Sequence, residues 1–268
     1  MPNRLDTTFA RLREGGKKAF VAYVCGGDPS FDASLEILLS LADAGADIIE
    51  LGVPFSDPMA DGIVNQMAAE RALKAGMTTA RLLDLVRAFR AKRDTPLVIF
   101  TYLNPIYAYG FGRFQEDAAA AGADGMLLLD LPPAEVRKND EFAANEALHH
   151  IHLIAPTTPP DRRRELAQAS KGFIYALSRT GVTGGHSDPA ADLDAQVAII
   201  REDAGDTPIC VGFGIRTPEQ AGTIAALADG VIVGSAIVKT VENHATSPDV
   251  ALQVRQFVEP LIEATHSA

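Results

Sequence analysis

Two carboxylates stand close together in the sequence, one at the end of an apolar run and one in the loop that follows it. Glu50 lies near the end of the run DIIEL, and Asp61 comes near the end of the loop LGVPFSDPMADG. Two carboxylates that flank one substrate can act as acid and base when their surroundings separate their pKa values. An inward Glu50 would have a raised pKa, whereas an outward side chain would reach water or a lysine. The sequence leaves both orientations open.

Three aspartates of the loops also have simpler interpretations. Asp57 occupies a Ser-Asp-Pro turn, and Asp130 ends another apolar run just before Leu-Pro-Pro. Aspartates commonly cap helices and stabilise turns through hydrogen bonds to backbone N–H groups. For Asp130 we expect a cap on a helix that starts near Pro133. Taken singly, Asp57 and Asp61 are also more often turn or cap residues, so the catalytic hypothesis rests on the pairing of Asp61 with Glu50.

Three glycine-rich loops in the second half of the chain predict an anion site. They are SRTGVTGGHSD at 178–188, GFGI at 212–215 and GSAIVKTVE at 234–242, and each follows an apolar run. Backbone N–H groups at glycine turns and at a helix N-terminus bind phosphate without the help of lysine or arginine. Tight turns alone are the simpler alternative for these glycines.

Aromatic residues collect at or near the ends of the apolar runs. They are Tyr23, Phe100, Tyr102, Tyr175 and Phe213. Packing in the core is the usual role of such side chains, and contact with a flat apolar substrate ring is the more specific hypothesis.

Eight apolar runs rich in β-branched residues alternate with helix-compatible segments. The candidate strands are 19–25, 47–51, 96–103, 125–131, 151–156, 172–178, 208–213 and 230–235. Most of these runs are apolar on both faces, which is typical of buried parallel strands. The candidate helices are 30–46, 78–92, 112–122, 133–148, 160–170, 190–203, 217–228 and 247–265. Glycines that follow periodic runs, as helix ends require, are Gly45, Gly76 and Gly122.

Eight strand–helix alternations favour a closed (β/α)8 TIM barrel over an open doubly wound sheet. The first run is also not followed by the GxGxxG motif of dinucleotide-binding open sheets. We predict one α/β domain over 1–268, with an extra N-terminal helix before residue 19 that closes the barrel floor and a short phosphate-binding helix after strand eight. Active sites of such barrels lie at the C-terminal ends of the strands, which is where both carboxylates and the glycine-rich loops fall.

Composition and charge exclude several other classes. The chain has 268 residues, with 24 Lys and Arg against 35 Asp and Glu, and a formal net charge of −11. Such an acidic chain without a basic block is a poor nucleic-acid binder. The two cysteines, Cys25 and Cys210, cannot form a disulfide framework and are expected to be buried as small apolar residues. No apolar run is long enough to span a membrane, and the start MPNRLDTTFARLREGG lacks the apolar stretch of a signal peptide, so we expect a cytoplasmic protein.

The histidines do not predict a metal site. The three that cluster are His149, His150 and His152, which we place at a helix-to-strand junction on the face opposite to the active site. The chain contains no HExxH motif.

The stretch IELGVPFSDPMADG at 49–62 resembles the signature of the tryptophan synthase alpha subunit family. Segments FVAYVCGGDPS, YLNPIYAYG, LSRTGVTG, VGFGI and VGSAIVK also resemble their family counterparts, without large gaps. The resemblance implies a (β/α)8 carbon–carbon lyase of tryptophan biosynthesis. Its reaction would be the reversible retro-aldol cleavage of indole-3-glycerol phosphate to indole and glyceraldehyde 3-phosphate, with no metal and no organic cofactor. The implied partner is the pyridoxal-phosphate-dependent beta subunit, which receives indole through a tunnel within an alpha2-beta2 assembly.

The resemblance also implies roles for individual residues. Glu50 matches the catalytic glutamate, which acts on the carbon side of the bond and on the glycerol hydroxyl, and Asp61 matches the catalytic aspartate near the indole nitrogen. The implied phosphate-binding residues are Gly184, Phe213, Gly214, Gly234 and Ser235. The implied indole pocket and its lid comprise Tyr23, Phe100, Tyr102, Tyr175 and Thr183. The implied partner interface and signalling residues are Asp57, Asn104 and Pro105.

Three other functions stay open beside the alpha-subunit hypothesis. The first is a stand-alone lyase that releases free indole. The second is a catalytically silent barrel that only activates a partner, although the presence of Glu50 and Asp61 argues against it. The third is another phosphosugar barrel, such as an indole-glycerol phosphate synthase or a sugar isomerase. These usually carry a catalytic lysine at a strand end, whereas Lys171 precedes strand six and Lys239 lies within the helix after strand eight.

Overall fold

Eight parallel strands form a closed barrel in the computed structural model, which describes residues 2–136, 138–139, 142, 145–178, 189–212 and 214–268. Each strand pairs with the next along the chain, and β8 returns to β1 with Gly230 opposite Ala19. The strands are β1 Ala19–Cys25, β2 Ile48–Gly52, β3 Leu97–Thr101, β4 Gly125–Leu128, β5 His149–Ile154, β6 Ile174–Leu177, β7 Ile209–Gly212 and β8 Gly230–Val233. The prediction of a (β/α)8 barrel is confirmed, and the open sheet is excluded.

Helices surround the barrel between its strands. In the described part of the chain they are α1 Arg4–Glu14, α2 Phe31–Ala44, α3 Ile63–Lys74, α4 Thr79–Arg90, α5 Leu103–Tyr109, α6 Phe111–Ala121, α7 Pro133–Val136, α8 Pro160–Ala169, α9 Pro189–Ala204, α10 Pro218–Ala225, α11 Ser235–Asn243 and α12 Val250–His266. The predicted ends have a clear physical basis. The Ser30 hydroxyl accepts a hydrogen bond from the first turn of α2, and Gly45 ends that helix with a left-handed φ of 98°.

The predicted helix 133–148 is wrong at its C-terminal end. Helix α7 ends at Val136, and residues 145–148 are not helical. Two hydrogen bonds hold a turn there instead, one of them local and the other to Gln115 of α6. The Asn145 side chain accepts one from the N–H of Ala147 at 2.8 Å, and Gln115 Oε1 accepts one from the N–H of Asn145 at 2.9 Å. Asparagine often competes with helix in this way.

Strand β5 also begins earlier than predicted, which changes the place of the histidines. His149, His150 and His152 lie within β5 rather than at a junction, although they do lie toward the end of the barrel opposite to the glycine-rich loops. His149 Nε2 lies 2.8 Å from Asp6 of α1, and burial lowers the pKa of His150 to about 4. These side chains therefore lie at the end of the barrel that packs against α1, away from the glycine-rich loops.

Helix α1 closes the barrel floor, as predicted. Leu5 is completely buried in a cluster with Phe9, Phe173 and Cys210. A Cβ atom at position 125, where the chain has glycine, would lie only 3.2 Å from Leu5 Cδ1, so the absent side chain makes room for this leucine. Both cysteines are buried and free, as expected. Among the described helices, none combines the length and the apolar character that a membrane crossing requires.

Candidate active site

A cavity of about 470 Å³ opens at the C-terminal ends of the strands. Side chains and backbone from most of the strands and the loops after them form its wall. They include Tyr23, Glu50, Asn65, Phe100, Pro156, Thr157, Tyr175, Ser178, Gly212, Gly214, Gly234 and Ser235. Among the described residues the wall has one acidic side chain and no lysine or arginine. The cavity therefore combines aromatic surface, one carboxyl group and exposed glycine backbone.

Glu50 faces inward and is completely buried. It lies in β2, opposite Tyr23 of β1 and Val98 of β3. Neither of its carboxylate oxygens has a hydrogen-bond partner in the described part of the chain. Because burial removes water from the charged form, the pKa of Glu50 rises from 4.5 to about 8. The group is therefore mostly protonated at neutral pH and can serve as an acid.

Asp61 is held beside the cavity by two side-chain donors. The Tyr102 hydroxyl donates to Oδ2 at 2.8 Å, and the Asn65 amide donates to Oδ1 at 3.3 Å. Burial raises the pKa of this carboxyl, and the two hydrogen bonds lower it in part. The negative charges of Glu50 and Asp61 both raise the pKa of the Tyr175 phenol, after the larger effect of burial. The two carboxylates thus act on one wall of the same cavity.

Three of the predicted aromatic residues, Tyr23, Phe100 and Tyr175, form an apolar side of the cavity. Tyr23 and Phe100 pack edge to face, with ring centroids 5.2 Å apart. Tyr175 lies against the backbone of β7, where a Cβ atom at Gly212 would come within 2.6 Å of its hydroxyl oxygen. Tyr102 does not line the cavity but bonds Asp61 instead. The arrangement offers a flat ring a surface of aromatic faces and edges.

The glycine-rich end of the cavity lies where β7 and β8 finish. Helix α11 begins at Ser235 with Gly234 as its N-cap, and both residues line the cavity. Gly214 adopts a positive φ of 67°, a conformation that side chains other than glycine rarely tolerate. Backbone N–H groups at a helix start can bind an anion. The predicted residues Gly184, Phe213 and Thr183 lie outside the described residues.

The comparisons with known proteins agree with this geometry. The family model for the tryptophan synthase alpha chain matches residues 9–266. The chain is 47% identical over 262 residues to the tryptophan synthase alpha chain of Geobacter sulfurreducens, with 98% of each chain covered. It is 42% identical over 264 residues to that of Desulfatibacillum aliphaticivorans, covering 97% of this chain and 98% of the relative. The crystal structure of the alpha subunit from Legionella pneumophila superposes with a TM-score of 0.88 at 36% identity, covering 99% of both chains.

The chain belongs to the tryptophan synthase alpha chain family. It is therefore a carbon–carbon lyase of tryptophan biosynthesis that cleaves indole-3-glycerol phosphate, with the beta chain as the partner that the family name implies. The resemblance inferred from the sequence is confirmed. The roles of individual residues rest on the geometry above and are proposals.

The residues predicted to contact the partner of this family lie on the rim of the barrel, at the end where the cavity opens. Asp57 is exposed in the loop after β2 and accepts a 2.5 Å hydrogen bond from the Ser56 hydroxyl. Asn104 is exposed and Pro105 half-buried in α5, which follows the adjacent strand β3. Met59, 92% exposed, belongs to the same loop as Asp57. This rim is therefore both polar and apolar.

Asp130 caps a different helix from the one predicted. Its carboxylate accepts a 2.6 Å hydrogen bond from the backbone N–H of Leu103, the first residue of α5. The sequence pattern did not predict α5, because the candidate strand 96–103 ran into it, so its cap could not be assigned.

One residue of the alpha chain site was missed by the sequence analysis altogether. Asn65 lines the cavity and donates to Asp61. Its position four residues after Asp61, at the start of a helix, is the only signal that could have pointed to it.

In the described part of the chain, no three His, Cys, Asp or Glu side chains group in a way that could hold a metal ion.

Proposed function

We propose that Glu50 and Asp61 carry out the acid–base chemistry by which this chain cleaves indole-3-glycerol phosphate. The observation that carries the proposal is the environment of Glu50. It is a fully buried carboxyl group on the wall of the cavity, without a hydrogen-bond partner among the described residues and with a pKa of about 8. A structural glutamate would be paired or exposed, whereas a catalytic acid needs a pKa near the working pH.

The reaction needs one proton delivered and one removed. Glu50 protonates indole C3, which becomes tetrahedral and leaves positive charge on the ring. Glu50 then takes the proton of the hydroxyl on the carbon attached to C3. As the carbon–carbon bond breaks, its electron pair returns to the ring, and the products are indole and the aldehyde. Glu50 thus regains its starting protonation state, and no atoms are gained or lost.

Asp61 stabilises the positive charge that develops on the ring. As a carboxylate held by Tyr102 and Asn65, it presents a fixed negative charge beside the cavity. Such preorganised charge lowers the barrier because no solvent has to reorganise during the reaction. We propose that the chain needs no metal and no organic cofactor for this step, since Glu50 and Asp61 supply both the proton transfer and the charge.

The phosphate of the substrate binds at the glycine-rich end. The backbone at Gly214, Gly234 and Ser235 supports this assignment, because it lines the cavity and includes a helix start. Gly184 and Phe213 are proposed to complete the site, with Thr183 in the lid. Binding energy from the phosphate fixes the reacting bond between Glu50 and the ring, where Tyr23, Phe100 and Tyr175 form the indole pocket.

The rim around Asp57, Asn104 and Pro105 is proposed to contact the beta subunit. The exposed apolar side chains Met59 and Ile63 support this proposal, since they leave an apolar surface beside the cavity. We propose an alpha2-beta2 assembly in the cytoplasm, in which indole passes from the cavity to the beta subunit through an internal tunnel.

The decisive experiment measures indole release by the purified chain, alone and with a beta subunit. We expect slow turnover alone, strong stimulation by the beta subunit, and a loss of at least about 100-fold in Glu50→Gln. Glu36→Gln, an exposed glutamate of α2, serves as the control and should behave as wild type. Fast turnover that ignores the beta subunit would favour a stand-alone lyase. Undiminished turnover in Glu50→Gln would refute the role of Glu50.

A further inference from the structure

An incompletely bonded amide stands in the wall of the cavity. Asn65 lies in the first turn of α3, and its Nδ2 donates to Asp61 Oδ1 at 3.3 Å. Its Oδ1 is buried and has no hydrogen-bond partner in the part of the chain that the structure describes. The residue lines the same cavity as Glu50 and Tyr175. One half of the amide is therefore engaged and the other half is not.

The charge on Asp61 fixes which way this amide points. An ionised carboxylate can only accept hydrogen bonds, so it attracts the NH₂ group and turns the carbonyl oxygen away. The opposite orientation would place two acceptors against each other. A buried carbonyl oxygen without a donor costs free energy, which a ligand can recover by supplying one. The geometry thus creates an acceptor whose direction depends on Asp61.

We propose that Asn65 is a further substrate-binding residue, whose Oδ1 accepts a hydrogen bond from an N–H or O–H group of the bound substrate. This inference rests on the proposed function, because indole-3-glycerol phosphate carries both kinds of donor, the ring N–H and the hydroxyls of the glycerol chain. Asp61 orients the amide, and Asn65 in turn holds the Asp61 carboxylate. The two residues form one recognition unit at the start of α3.

The test compares Asn65→Leu with wild type in binding and in turnover. Leucine has nearly the same volume but neither donor nor acceptor. The control is Gln256→Leu, which removes an exposed amide from α12. Circular dichroism and thermal melting confirm the fold of each variant. We expect KM for indole-3-glycerol phosphate to rise about five- to tenfold in Asn65→Leu and to stay unchanged in the control.

Two probes identify the donor without any turnover. Indole carries the ring N–H and no hydroxyl, whereas glycerol 3-phosphate carries hydroxyls and no ring. If Asn65→Leu loses five- to tenfold in affinity for indole but not for glycerol 3-phosphate, as measured by NMR titration, the ring N–H is the donor. The same loss for glycerol 3-phosphate alone assigns a hydroxyl. Unchanged affinity for both probes together with an unchanged KM overturns the inference.

The pH profile separates this role from a merely structural one. Loss of the Asn65 donor raises the pKa of Asp61, so the acidic limb of kcat/KM should move to higher pH in Asn65→Leu. A folding defect would lower kcat/KM at every pH without moving the acidic limb of the profile. Because probe binding needs no proton transfer, the inference can fail while Glu50→Gln still abolishes turnover. The failure of the proposed function would instead appear as full turnover in Glu50→Gln.

Discussion

The Tyr102 hydroxyl donates a 2.8 Å hydrogen bond to Asp61 Oδ2 and accepts one of 2.9 Å from the N–H of Ala60. The phenol thus ties the end of β3 to the loop that carries the aspartate. Because the neighbouring N–H occupies an acceptor position of the oxygen, the phenolic proton is directed toward the carboxylate. Tyr102 therefore orients Asp61 and opposes the rise in its pKa that burial causes, a role that the sequence analysis did not assign to this residue.

Replacement of Tyr102 by phenylalanine should weaken catalysis without unfolding the chain. We expect kcat/KM to fall roughly tenfold, the cost of one hydrogen bond to a charged group. The acidic limb of the pH profile should move upward, since the lost bond lowers the pKa of Asp61. Tyr109→Phe is the matched control, because that hydroxyl donates to Asp117 of α6 at 2.6 Å. An equal loss in both variants would contradict the role of Tyr102.

The raised pKa of Glu50 predicts a specific pH dependence of stability. The native state holds the Glu50 proton more tightly than the unfolded chain. The contribution of this group to the free energy of unfolding is therefore fully present below pH 4.5 and is lost as the pH rises toward about 8. Each unit in this window costs about 1.4 kcal/mol. Between pH 5.5 and 7.5, the free energy of unfolding of Glu50→Gln should therefore gain about 2–3 kcal/mol relative to wild type, as measured by urea denaturation. A constant difference, as expected for the control Glu36→Gln, would show that Glu50 does not titrate in this range.

The glycine at the end of β7 should be essential for the shape of the cavity. In Gly212→Ala the added Cβ would lie 2.6 Å from the Tyr175 hydroxyl oxygen and 2.9 Å from Cε1, so the ring must move. We expect KM for indole-3-glycerol phosphate to rise about tenfold, with the barrel still folded. Gly112→Ala adds the same methyl group in α6, where nothing lies within 4 Å, and should leave KM unchanged. A crystal structure of Gly212→Ala with Tyr175 in its original place would refute the explanation.

A buried ion pair joins α3 to the loop after β1. Arg71 binds both oxygens of Asp28 at 2.8 Å, and Asp28 is almost fully buried. Arg71→Met leaves the Asp28 carboxylate buried without this arginine and should destabilise the chain by about 3 kcal/mol. Arg87→Met breaks a 2.7 Å pair with exposed Asp84 and should cost less than about 1 kcal/mol. Equal midpoints in urea denaturation for the two variants would contradict this ranking.

A substitution at the rim residue Met59 should impair binding of the beta subunit without impairing catalysis. Met59→Glu places a charge on a side chain that is 92% exposed, so the fold and the basal lyase activity should persist. Stimulation by the beta subunit should fall about tenfold or more, because the charge would be buried in the interface. Leu252→Glu, on the exposed side of α12, should retain full stimulation. Full stimulation of Met59→Glu would place the interface elsewhere.

Most of the barrel was predictable because its strands are long apolar runs that stand out from their surroundings. Helix α3 was not delimited, although Gly76 was predicted to end a helix, because its buried face consists of Ala68, Ala69 and Ala72, which leave only a weak apolar pattern. Helix 133–148 was overpredicted because periodicity does not register the turn that Asn145 forms. Boundaries and short helices depend on such local hydrogen bonds, which the apolar pattern does not contain.

The candidate site was predictable in its members but not in its contacts. The sequence located Glu50 and Asp61, yet the orientation of Glu50 depends on the register of β2 between its neighbours, which no single strand reveals. The bond of Asp61 to Tyr102 joins the loop before α3 to the end of β3, a contact between distant parts of the chain, whereas its bond to Asn65 is local. Asn65 was overlooked because an asparagine at a helix start is ordinary in isolation.

The seating of Leu5 in the barrel floor has a consequence for biosynthesis. Helix α1 is synthesised before every strand of the barrel, whereas its neighbours at Gly125 and Gly172 are made much later in translation. Until then the apolar side of α1 has no partner to pack against and is exposed to chaperones or to other nascent chains. The docking of α1 is therefore a late event in assembly, although this helix precedes all eight strands along the chain.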